Sequence, residues 1–358
     1  MQEVAPSRGI AWLPVGSLIA INASLIISWI AYHNYQPKLL ERFDYGEYAT
    51  FLGWAKLIVL AVVPPLAGYI ADRIRPQRMY QIPLLSAGVC LTALIFFVVG
   101  MMITPSPLLP WAAILPLMMV LWLISMNVFY APALAALERL VSKESLGIVV
   151  AVYALVADIL YGLEPLIVDL VQFFGAAPTF FLGGVLVLGS GLFFQRNYGQ
   201  AVLVNPPENK SSNFGLVLMM GLCLGVASGY IINRLPFVLP NELYVAGFTL
   251  GGELWVSKIF ILAALLAIPA ARWAKQRNQL RIFGLSFFVA LALLFLLGVV
   301  PEFWAIPVSM ILSACLASMS VTALPLAFGS INSARMAMGM GVFLCGLELP
   351  DSLMELFY

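Results

Sequence analysis

The chain has 358 residues, 62% of them hydrophobic and 10% charged, with a net charge of +1. A soluble globular domain carries about 25% charged residues, and no core of this length hides so much apolar surface, so a water-soluble protein is excluded and lipid is the expected solvent. The near-zero net charge also excludes a global field that would gather nucleic acid.

Residues 1–9 are short and polar, and no small-residue cleavage site follows the apolar run from Ile10. The first apolar segment is therefore expected to stay in the membrane rather than to be cleaved as a signal peptide. A spanning helix needs about 20 mostly apolar residues. That rule gives eleven spans, at 10–33, 47–71, 79–102, 107–137, 146–174, 177–195, 214–235, 249–273, 280–300, 303–328 and 335–358. The runs are apolar nearly all round, and no ten-residue alternation occurs, so an all-α polytopic bundle is expected and not a barrel.

In chain order, span one carries Asn22 and Ser24 and ends in "AYHNYQPK", where His33, the only histidine, sits beside Asn34 among tyrosines. A histidine there fits a pH sensor or a residue of the interfacial aromatic belt. Span two holds Lys56 and closes on Gly68, Asp72, Arg73, Arg75, Pro76 and Arg78. Span four holds Ser125 and Asn127. Span five holds Asp158, Glu164 and Asp169. The segment 195–213 is the longest polar connection, rich in Asn, Pro and Ser as linkers are. Span seven ends on Tyr230, Asn233 and Arg234, span eight holds Lys258, and span ten holds Ser320. Span eleven holds Glu348, Asp351 and Glu355. The polar positions in spans one, four and ten either line a path or hydrogen-bond between helices. Pro64, Pro65, Pro132, Pro165, Pro325 and Pro350 fall inside spans and are expected to kink them.

With residue 1 inside, thirteen of the eighteen Lys and Arg residues fall on one side, and only Lys38, Arg42 and Arg234 fall in the opposite loops. Lys56 and Lys258 lie within spans. This bias sets the N-terminus in the cytoplasm. The halves also resemble each other. Spans two and eight each carry an early lysine, a later proline and a basic end. Spans four and ten share "SMNVFYAPALA" and "SMSVTALPLAF", and spans five and eleven share "YGLEPLIVDLVQFF" and "CGLELPDSLMELFY". An even number of spans separates the matched pairs, so the repeats are parallel, as in two-bundle transporters.

With Gly68, Asp72, Arg73 and Arg78 in the turn after span two and two similar halves, the chain resembles the major facilitator superfamily over essentially its whole length. The resemblance implies a six-helix bundle over 1–195, a cytoplasmic linker over 196–213 and a five-helix bundle over 214–358, with the family's twelfth helix missing. It implies that the Gly68–Arg78 turn latches the cytoplasmic ends of the two bundles. The second half carries Ala274 and Lys275 where the first has Asp72 and Arg73, so its latch is degraded. The resemblance also places span two against span eleven, and span five against span eight.

An ionisable residue inside a span is a functional-site candidate by default. Lys56 lies sixteen residues from Asp72, or about 24 Å along a helix, and the other intramembrane charges fall at comparable depth. The expected pairs across the seams are Lys56 with Glu348 or Asp351, and Lys258 with Asp158 or Glu164. They are read as forming and breaking as the bundles rock, with a proton able to replace the lysine. Glu355 and Asp169 read as carboxylates near the outer surface. His33, Asn34, Tyr230, Asn233 and Arg234, with Asn22, Asn127 and Ser320, are expected to line the cavity.

The function implied is a secondary transporter of a small organic solute working by alternating access, by symport or antiport, with protons as a coupling ion. Its expected place is a bacterial inner membrane, with the lipid bilayer as its surroundings and no nucleic-acid partner. No arginine lies deep in the central spans, which disfavours phosphate or dicarboxylate cargo, and the family's glycine-proline antiporter signature is absent from span five. The alternative is a non-transporting assembly or scaffold subunit of the same fold, with a protein partner where the twelfth helix would lie. No enzyme is expected, because there is no P-loop and no histidine cluster. Met336, Met338, Met340, Met319 and Cys315 would suit copper(I), but a membrane chain with fifteen Met clusters some by composition alone. Neither a metal nor a cofactor is expected. The four cysteines lie far apart in apolar segments and read as small buried hydrophobes.

Overall fold

The structure, a computed structural model, describes residues 10–74, 81–104, 114–199, 211–238, 243–245, 248–250, 252–299 and 302–357. Arg78 of the basic turn lies outside these residues, as do Arg75, Pro76 and most of the 196–213 linker.

The chain runs through α1 (Trp12–Arg42), α2 (Ala49–Ile74), α3 (Gln81–Ile103), α4 (Leu115–Ala135), a short α5 (Leu137–Leu140), α6 (Lys143–Gly162), α7 (Glu164–Phe174) and α8 (Ala176–Gly199). It continues through α9 (Phe214–Asn233), a short α10 (Leu235–Val238), α11 (Gly252–Lys275), α12 (Gln279–Leu297), α13 (Glu302–Gly329) and α14 (Met336–Phe357). Among the described residues, eleven helical stretches are long and apolar enough to cross a membrane. The protein is therefore an integral, multi-pass membrane protein. Its backbone polar groups are met within helices, as lipid requires. Its outward faces are apolar: Leu285, Phe288 and Phe295 of α12 and Leu265 of α11 are exposed.

Three elements differ from the sequence reading. The first span does not stop near residue 33. It continues to Arg42, because Tyr35, Leu39 and Leu40 are buried and the Tyr35 hydroxyl donates to the Val171 carbonyl at 2.6 Å. Asn34, Lys38 and Arg42 are thus helical and not in a loop. The fifth span is broken. α6 ends at Gly162, Leu163 leaves the helical conformation, and α7 restarts at Glu164 with Pro165 in its first turn. Proline is tolerated there because its missing N–H has no helical partner to lose, and the glutamate complements the positive helix end. The eighth span starts at Gly252 and not at 249, after a small antiparallel hairpin of β1 (Leu243–Val245) and β2 (Phe248–Leu250) with Leu243 opposite Leu250.

Helix α14 is the centre of the packing. It runs along both α2 and α9, while α6 runs along α11, and α8 packs on α1 and α3. Small residues make this approach close enough for van der Waals packing to hold helices in lipid. A Cβ on Gly225 of α9 would meet the Leu347 carbonyl of α14, and one on Gly341 of α14 would meet the Pro64 carbonyl of α2. Pro64, Pro65, Pro132, Pro325 and Pro350 all lie inside helices.

Candidate functional site

A cavity of about 180 Å³ lies where α1, α2, α4, α6, α9, α11, α13 and α14 converge. One end is ionic. Lys56 of α2 has a side chain only 5% exposed, and its ammonium reaches Asp351 of α14 at 3.9 Å and pairs with Glu355 one turn further on. It also lies 3.1 Å from Nε2 of His33 and 5.5 Å from the centre of the Trp29 ring. Asp351 in turn accepts from Asn233 Nδ2 of α9 at 2.6 Å. Four helices, α1, α2, α9 and α14, are tied through one ammonium and one carboxylate.

The middle of the cavity is phenolic. The Tyr130 hydroxyl of α4 donates to Asn22 Oδ1 of α1 at 2.8 Å and lies 3.1 Å from the Tyr153 hydroxyl of α6. Tyr161 packs on Phe260 of α11 with ring centres 5.7 Å apart. Asp158, Tyr161 and Glu164 follow one another at intervals of three residues, and all face the cavity. The α6 break lets Glu164 begin a new helix while still lining the same space. Glu348 and Ser320 complete the lining from α14 and α13.

A second and wider space of about 980 Å³ opens at the end of the bundle that carries Glu144 and Arg272. The two linings share no residue. Between them Ala151 and Ala154 of α6, Ala267 and Ala271 of α11 and Val321 of α13 form a separate apolar cluster. Ala154 borders the first space, while Ala271 and Val321 border the second. This plug is thin because its residues are small.

The same end carries the α2–α14 contact. A Cβ on Gly68 would meet the Ala337 carbonyl, and one turn later Asp72 accepts from the Ala337 and Met338 backbone N–H groups at 3.1 and 2.8 Å. These are free donors of the first turn of α14, where a carboxylate is favoured by both hydrogen bonding and the helix dipole. Arg73 stays on its own helix, 4.7 Å from the Tyr69 ring centre.

The expected site residues divide. Asn22, His33, Asn233 and Ser320 line the cavity, with Lys56, Asp158, Glu164, Glu348 and Asp351. Asn34, Asn127, Tyr230 and Arg234 do not. Asn34 receives Lys38 at 2.9 Å near the C-terminal end of α1, and Asn127 donates to the Leu123 carbonyl of its own helix. Ser125 also bonds its own helix, whereas Ser24 meets Ser190 of α8 at 3.0 Å. The carboxylate that takes Lys56 most closely is Glu355, which its sequence position places near the outer surface.

The pairing of Lys258 with Asp158 or Glu164 is not formed. Lys258 is exposed, lies 5.6 Å from the Trp255 ring centre, and lines a groove beside Ile306 and Met310 of α13. The reason is helical phase. Ser257 and Ile261 of α11 face Gly162 of α6, and Lys258 is turned about 100° from Ser257, away from the seam. Lys258→Met is therefore expected to shift stability by no more than about 0.5 kcal/mol, read from thermal unfolding in detergent. The larger loss belongs to Lys56.

Tyr130, Tyr153, Tyr161, Trp29 and Ser228 also line the cavity, and residue-by-residue reading missed them. The signal was present for Tyr161, which shares a helix face with Asp158 and Glu164.

A multi-helix membrane bundle with α2 on α14, α6 on α11 and a buried cavity at their meeting point has the architecture of the major facilitator transporters. No family model matches the chain, and no curated protein matches its sequence. In structure it is similar to the human organic anion transporter MFSD10 (TETRAN), with a TM-score of 0.70 at 12% identity, over 98% of this chain and 93% of that one. It is also similar to a variant of the E. coli fucose:proton symporter FucP, with a TM-score of 0.59 at 10% identity, over 96% of this chain and 92% of that one. The fold is thus that of the major facilitator transporters.

Proposed function

We propose that the protein is a secondary active transporter that moves a small organic solute by alternating access. The observation that carries this reading is the pair of cavities with separate linings on either side of an Ala-Val plug. In this reading residues 1–195 and 214–358 are the two moving bundles, joined by a cytoplasmic linker over 196–213. The Asp72 end faces the cytoplasm and the Lys56 end faces outward. The α2–α14 seam is fastened at both ends, by Asp72 on the α14 N-terminus and by Lys56 on Asp351 and Glu355. Releasing one end while holding the other opens the cavity to one side at a time. A carboxylate that loses Lys56 can take a proton in its place, so the outer fastening gives a physical route to proton coupling.

The solute is small because the cavity is small. Drug-sized ligands occupy pockets of about 300–1,000 Å³, above the 180 Å³ found here. The structural neighbours are named for carrying an organic anion and fucose with a proton, which supports solute transport as the activity and leaves the solute to this chain's own lining. The test is accumulation by proteoliposomes. Purified full-length chain is reconstituted and offered labelled amines, amino acids, sugars and carboxylic acids, with and without a proton gradient. Gradient-dependent accumulation of at least one class is expected. Folded protein that accumulates none of them under any gradient overturns the proposal.

A further inference from the structure

We infer that the cavity binds an organic cation, an ammonium group carried on a small apolar or aromatic body. Asp158, Glu348 and Asp351 line it beside Glu164, which has a partner of its own, and the lining holds a single ammonium, that of Lys56. That ammonium is already engaged by Asp351, Glu355 and His33 at the ionic end. The negative side is not used up. Asp158 is only 6% exposed, its Oδ2 is sealed from solvent, and that atom has no hydrogen-bond partner. Glu348 is in neither ion pair of Lys56. A carboxylate in lipid-depth surroundings is met either by a proton or by a counter-charge, and a bound cation supplies the second.

The neutral lining fits the same ligand. Tyr161 stands three residues from Asp158 on α6 and packs on Phe260, so an aromatic wall adjoins the free carboxylate on one helix face. Aromatic faces attract cations, most strongly where water is excluded. Asn22, 2% exposed, also lines the cavity, and its amide donor is buried without a partner. That donor can receive an oxygen substituent on the ligand. An anionic solute would meet Asp158, Glu348 and Asp351 and one occupied lysine instead, and like charges brought together without water are costly.

The inference names the cargo of the transporter proposed above and rests on that reading, but its test reads binding apart from transport. Full-length protein in detergent is titrated by calorimetry at pH 7 with benzyltrimethylammonium, whose charge is permanent, and with phenethylammonium. Phenylacetate and benzyl alcohol are the anionic and neutral comparisons. Both cations are expected to bind at least tenfold more tightly than phenylacetate. Asp158→Asn is expected to weaken cation binding at least tenfold, and Glu348→Gln to weaken it by a smaller factor. Should Asp158→Asn fail to fold, the preference of the wild-type chain for cation over anion decides the matter alone. Failure of both cations to bind overturns the inference, as does phenylacetate binding as tightly, or a folded Asp158→Asn that keeps wild-type affinity. Cations that bind while none of the offered solutes accumulates overturn the transporter reading and leave this inference standing. An accumulated carboxylic acid with no cation binding does the reverse.

Discussion

Lys56→Met is expected to lower the stability of the protein and to reduce solute accumulation at least tenfold. The ammonium has three polar partners, Asp351, Glu355 and His33, and methionine fills its volume with none of its charge. Removing one member of a fully dry ion pair costs about 3–5 kcal/mol, whereas an exposed pair contributes at most about 1. The side chains of Asp351 and Glu355 are 22% and 42% exposed, so water reaches the orphaned oxygens. The expected loss therefore falls between those limits, at about 1–3 kcal/mol, measured as thermal unfolding in detergent. A second variant separates glue from switch. Adding Asp351→Asn and Glu355→Gln to Lys56→Met removes every orphaned charge and keeps a hydrogen-bonding partner for Asn233. That triple variant is expected to regain most of the lost stability and none of the lost accumulation, since a neutral seam cannot exchange lysine for proton or water. Recovery of accumulation along with stability would show that the ionic end only holds helices together.

The same cluster shows how far sequence reaches. Hydropathy alone gives the eleven spans, because in lipid each one must satisfy its own backbone and must be about as long as the bilayer is thick. Depth is legible too: counting from Asp72 puts Lys56 level with α14 carboxylates, and it meets Asp351 there. Rotation about the helix axis is not legible. All-round apolar helices have no polar face to mark the inside, so nothing in span eight announced that Lys258 points to the α13 groove while Ser257 faces α6. An error of one residue turns a side chain by about 100°, enough to turn a seam residue away from its partner. The same uncertainty hid Glu355, one turn beyond Asp351 on the same helix face. The phenols were hidden differently. Tyrosines in a chain this aromatic look like interfacial belt, and only the tertiary fold brings Tyr130 of α4 and Tyr153 of α6 to 3.1 Å.

Gly68→Leu is expected to pry apart the opposite end of the same seam. No side chain fits at this position, because its first carbon already falls on the Ala337 carbonyl. Backbone cannot yield as a flexible side chain can, so α2 and α14 must separate. Overpacking of this kind costs about 1–3 kcal/mol. Separation also withdraws the Asp72 carboxylate from the Ala337 and Met338 N–H groups, and a hydrogen bond to a charged group contributes about 1.5–3 kcal/mol. Asp72→Asn removes the ionised acceptor without overpacking, so the helices can still touch. The readout is a cysteine at Met336, which is 1% exposed at the start of α14, in a chain whose four native cysteines are replaced by serine. A bulky maleimide is expected to label this cysteine at least tenfold faster in Gly68→Leu than in the parent, with an intermediate rate in Asp72→Asn. If Gly68→Leu leaves the rate unchanged in folded protein, the α2–α14 contact is not what closes this end, and the closure must lie with α6, α11 and α13 around the plug.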